Sequence, residues 1–94
     1  MDIIWGNVGN VLSGQLFELN VTHKKDGNKG EYSDIEKIVI LETDFMSLPA
    51  DATQCTKEQI EENLAGVFVK CEIKDKEGDG TLKSIVSHSG QGGY

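Results

Sequence analysis

Four lysines fall close together at Lys24, Lys25, Lys29 and Lys37, with Tyr32 among them and Trp5 upstream. Ammonium groups can follow a phosphate backbone while aromatic faces stack on bases, the combination that binds single strands without reading their sequence. Five acids in the same stretch, Glu18, Asp26, Glu31, Asp34 and Glu36, weaken the field there. The competing reading is a solvated polar turn with a core tyrosine, since runs of charge commonly serve only to keep a surface wet.

Other chemistries lack their parts. Asp75, Glu77 and Asp79 before Gly80 imitate the opening of a calcium loop, but its twelfth position falls on Val86 where a bidentate Glu is needed. A solvated hairpin turn fits better. His23, His88, Cys55 and Cys71 offer zinc-ligand types without ligand spacing, so no metal or other cofactor is expected. Ser13, Ser33, Ser47, Ser84, Ser87 and Ser89 lie in no nucleophile-elbow pattern. Gly6, Gly9 and Gly14 lack the Lys-Ser/Thr of a phosphate-binding loop. The chain reads as a binding protein with no catalytic residues.

The elements that position these residues repeat. Leu12-Ser13-Gly14 followed by residues 15–22 echoes Leu64-Ala65-Gly66 followed by residues 67–74. Phe17, Leu19 and Val21 alternate with Glu18, Asn20 and Thr22, and Val69, Cys71 and Ile73 with Lys70, Glu72 and Lys74, which is the period of a half-buried strand. Polar turns follow at 24–31 and 75–80, and then second strands, Ile35 to Val39 matched to Leu82 to Val86 at a displacement of 47. Two related hairpin units, 12–41 and 66–88, are expected.

Between them Thr56-Lys57-Glu58-Gln59 has the form of a capping box, which predicts a short helix over about 56–65 with Ile60 and Leu64 on its apolar face. Gly66 supplies the stop and Pro49 marks the loop before it. Residues 89–94 read as a flexible tail. The fold class is mainly β (α+β), a small antiparallel sheet or partial OB-like barrel in one domain spanning 1–94. Residues 3–11 form at most an edge piece, because Gly6 and Gly9 interrupt them. A sheet of few strands leaves edges open to homo-oligomer pairing.

Length and charge bound the partners. Ninety-four residues close one core. The net charge of −7 comes from sixteen acids against nine bases, all lysine, so bidentate guanidinium readout of duplex DNA is excluded. The first residues form neither a signal peptide nor a membrane span, and two cysteines suit a reducing compartment, so a cytoplasmic protein is expected.

Residues 14–25, with their alternating strand ending Val21-Thr22-His23-Lys24-Lys25, and residues 30–38, with Tyr32 and Ile35, resemble a strand pair of phage-encoded single-stranded DNA-binding proteins. Leu48-Pro49-Ala50 and the lead from Glu61 to Gly66 are similar to the same family. The resemblance implies an OB-like fold and binding of single-stranded nucleic acid through the first hairpin, with Lys24, Lys25, Lys29 and Lys37 on phosphates and Tyr32 stacking. The alternative is an acidic phage-type accessory protein that inhibits a host nuclease or defence complex. It is motivated by ten acids against five lysines from Glu42 to Lys83.

Overall fold

A computed structural model describes residues 2–44 and 55–88, with the side chain of His88 excepted. The elements run β1 (Asp2–Val11), β2 (Leu16–Lys24), β3 (Ile35–Thr43), α1 (Lys57–Leu64), β4 (Phe68–Lys76) and β5 (Leu82–His88). Pro49 and the tail at 89–94 lie outside the described residues. No helix among those described is long and apolar enough to cross a membrane.

The strands close into a barrel in the order β1-β2-β3-β5-β4, with β4 returning to β1. Neighbours are antiparallel except β3 and β5, which are parallel. Five strands with a helix between the third and fourth make this an OB-like barrel. The fifth strand is β1, the segment expected to be an edge piece. It pairs with β4 over Asp2 to Asn7 and with β2 over Ile4 to Val11. Closure removes the free sheet edges on which edge-paired oligomers were expected.

Alternation builds the core as the sequence pattern requires. Phe17 and Leu19 of β2, Val69 and Cys71 of β4 point inward and are fully buried, with Val21 and Ile73 packed at the margin. Burial pushes the Cys71 thiol up to about 12, so it serves as a small hydrophobe. The first strands of the two hairpins therefore match at the displacement expected, Phe17 to Val69.

The second strands do not. Phe17 pairs with Ile38 and Val69 with His88, so the structural displacement from Ile38 to His88 is 50. The expected shift of 47 is odd, and an odd shift exchanges the faces of a strand. It equates exposed Ile35 with buried Leu82, whereas the inward residues are Ile38 and Ile40 of β3 and Leu82, Ser84 and Val86 of β5.

Helix α1 begins at the capping box. The Thr56 hydroxyl accepts from Gln59 N–H, and the Gln59 side chain accepts from Thr56 N–H at 2.8 Å. Ile60 and Leu64 are buried against the barrel, and Gly66 takes the left-handed conformation that ends the helix, φ 77°. Gly66 N–H donates to Val8 O and Val8 N–H to Val67 O, which fixes the helix exit to the Val8 end of β1.

Candidate nucleic-acid interface

The loop between β2 and β3 folds back along the start of β1. The Asn28 side chain bonds both backbone groups of Ile3 at 2.9 Å, as a neighbouring strand would, and Lys25 N–H donates to Ile3 O. One carboxylate then closes the loop. Asp2 accepts from Lys29 N–H and Gly30 N–H at 2.9 Å and from the Tyr32 hydroxyl at 2.6 Å.

The Tyr32 hydroxyl, followed by the Lys29 and Gly30 amides, lowers the Asp2 pKa to about 2. Burial, and then the bond to Asp2, raises that of Tyr32. A carboxylate held below its unfolded value of 3.8 stabilises the fold above that pH and loses the contribution as pH falls toward 2. Asp2→Asn is expected to lower the melting temperature at pH 7, and the variant and parent curves should converge below about pH 2. Thermal melts across that range check it; parallel curves would mean that Asp2 closes nothing.

The lysines separate into two places. Lys24, Lys25, Gly30 and Tyr32 help to line an open concavity of about 490 Å³ in this loop, and Lys29 lies within the same turn. The Lys24 ammonium donates to Tyr32 O at 2.6 Å. Lys37 does not join them. It sits on the outer face of β3, paired across the strands with Glu18, and near Asp79 of the β4–β5 turn, whose carboxyl is held low first by hydrogen bonds from Thr81 and only then by this ammonium. From Glu18 to Lys24 is roughly 20 Å along β2.

Tyr32 also departs from its expected role. Its ring packs against the core and its hydroxyl is committed to Asp2, so it pins the loop where a base-stacking platform was expected. In and beside the loop the ammonium groups of Lys24, Lys25 and Lys29 are outnumbered by the carboxylates of Asp2, Asp26, Glu31 and Asp34. Any phosphate attraction here is therefore modest.

A second set of residues supplies the aromatic surface. Val21 pairs with Gly6 but His23 with Trp5, so a bulge at Thr22 shifts the alternation and turns His23 to the outer face beside Trp5. Trp5 has His23 as its neighbour on β2 and Lys70 on β4, while Phe68 stands outward beside Asn7. The rings of His23 and Phe68 meet edge to face across β1, centroids 6.1 Å apart and planes at 87°. Trp5, His23, Phe68 and Lys70 thus form a strip on the outside of β2–β1–β4, next to the lysine loop that continues from β2. Lys70 is drawn toward Glu72 at 3.5 Å.

The sequence pattern named Trp5 and missed the other members of the strip. His23 and Phe68 stand 45 positions apart, and only the bulge and the β1–β4 pairing bring them together.

In the calcium-like turn Asp79 accepts from Thr81 N–H at 2.9 Å, and Glu77 lies 3.7 Å from the Lys83 ammonium. These carboxylates stabilise a hairpin turn. Among the described residues no three His, Cys, Asp or Glu side chains gather as metal ligands. No known family model matches the chain, and no curated protein matches it.

Proposed function

We propose that this chain is a non-enzymatic OB-like module that binds single-stranded nucleic acid across the Trp5, His23 and Phe68 strip, with Lys25 and Lys29 of the adjoining loop meeting phosphates. The observation that carries the reading is the juxtaposition of an outward aromatic cluster with a lysine-bearing loop tied down by Asp2, Asn28 and Tyr32. Stacking is sequence-tolerant because every base offers a π-face, and lysine without arginine suits contacts that read no base edge. Few phosphates are engaged, so binding is weak and mildly salt-dependent.

Fluorescence anisotropy with a labelled oligonucleotide tests this directly. Binding at low salt is expected, with a log–log salt slope no steeper than about −2 given roughly −0.7 per phosphate neutralised on a single strand. No binding at low salt ends the proposal.

A rival reading rests on the opposite end of the barrel. Glu58, Glu61 and Glu62 are exposed on α1, which leaves the barrel at the Val8 end of β1, away from the lysine loop at Asp2. That acidic face suits the basic groove of a host nuclease or defence protein. Salt-sensitive capture of such a partner, abolished by reversing those three glutamates, would favour it over nucleic acid.

A further inference from the structure

The outer face of β2 and β3 adjoins the aromatic strip through the row Ile35, Asn20, Asn7 and Phe68, and carries its own pattern. Three cross-strand rows point outward there: Leu16 with Val39, Glu18 with Lys37, and Asn20 with Ile35. The described residues have three exposed large hydrophobic side chains, and all lie on or beside this face. Ile35 is 58% exposed and Leu41 39% on β3, and Leu12 is 42% exposed beside Leu16, whose carbonyl accepts its N–H. Apolar side chains scattered singly over a surface need no explanation, but their concentration on one sheet face does.

We infer that this face pairs with the same face of a second copy of the chain. The charge arrangement selects that occupant. A two-fold axis running along the strands between β2 and β3 exchanges the two columns and keeps each row in place. It therefore sets Leu16 over Val39 of the second copy, and Glu18 over Lys37, twice by symmetry. An isologous interface requires such self-complementarity, and aligned sheet packing supplies its geometry. A partner carrying one sign of charge would meet a repelling group in the central row. Two strands make a small patch, so the dimer is weak, with Kd on the order of 10–100 μM. The barrel's closure is no obstacle, because pairing is face to face and uses no sheet edge.

Sedimentation velocity at about 20 and about 500 μM gives the first test, with dimer expected to grow between them. Lys37→Glu and Glu18→Lys each place like charges in the central row, and each is expected to raise Kd at least tenfold. Mixing the two single variants restores opposite charges across the interface and should return the dimer, a result no misfolded variant could give. Circular dichroism of each variant alone confirms its barrel. A parent chain that stays monomeric at about 500 μM, a dimer indifferent to both reversals, or a mixture that fails to associate would each overturn the proposal. None of these outcomes bears on the aromatic strip, so this interface and the nucleic-acid reading fail separately.

Discussion

Gly6→Ala is expected to lower the melting temperature by more than any other single methyl added to a described glycine. A Cβ at Gly6 would lie 2.1 Å from the carbonyl oxygen of Asn20 and 2.8 Å from its carbon, both backbone atoms of β2. No rotamer change can relieve that contact. Gly6 pairs with Val21 on one side and Val69 on the other, so β1 cannot move off β2 without straining its ladder to β4. Overpacking of this kind costs about 3 kcal/mol or more when the neighbour is fixed. At roughly 4–8 °C per kcal/mol for a domain of this size, the midpoint should fall by ~12–24 °C.

Two controls make the cause specific. A Cβ at Gly9 meets first the side-chain nitrogen of Asn20 at 2.9 Å, which can swing away, so Gly9→Ala should cost less. Gly78 has nothing within 4 Å and no positive φ, so Gly78→Ala should be neutral or stabilising by about 0.5 kcal/mol through the unfolded state. Chemical denaturation of the three variants side by side gives the ranking. Equal losses at Gly6 and Gly78 would mean that close approach to β2 is not what this position requires.

The same glycine explains why the barrel was only partly legible. Gly within a strand normally weakens it, and on that ground residues 3–11 read as a marginal edge. Here the absent side chain is the condition for β1 to sit between two neighbours. Local patterns were read correctly where the physics is local: the alternation Phe17, Leu19, Val21 and its echo Val69, Cys71, Ile73, and the reciprocal bonds of Thr56 and Gln59. The parallel pairing of β3 with β5 has no local signature, since it depends on a crossover through the helix. Nor does the bulge at Thr22, which needs the register of β1 to define it.

The candidate site divides along the same line. The lysines were visible as composition, and Lys24 and Lys25 line one concavity with Lys29 in the same turn. Lys37 looked close in the chain, but strand direction carries it away, onto the face with Glu18. Tyr32 looked like a stacking residue because residue type alone cannot distinguish a ring facing solvent from one whose hydroxyl closes a loop on Asp2.

The second large effect concerns binding, and its two components can be measured independently. Trp5→Leu keeps apolar bulk at the centre of the strip and removes the π-face, so it should weaken oligonucleotide binding by the ~1–3 kcal/mol that stacking on one base contributes, roughly five- to 150-fold. Because no charge changes, the slope of log K against log salt should stay as in the parent. Lys25→Gln and Lys29→Gln should do the reverse. Each removes one ammonium group, so each should flatten the slope by about 0.7 while costing less affinity at high salt than at low. Lys24 is unsuitable for this comparison, since its ammonium also holds the Tyr32 carbonyl and its loss would loosen the loop. Anisotropy titrations at several salt concentrations read both quantities from the same data. If the lysine variants weaken binding and Trp5→Leu leaves it unchanged, the loop binds phosphate and the aromatic strip is not the base-stacking surface.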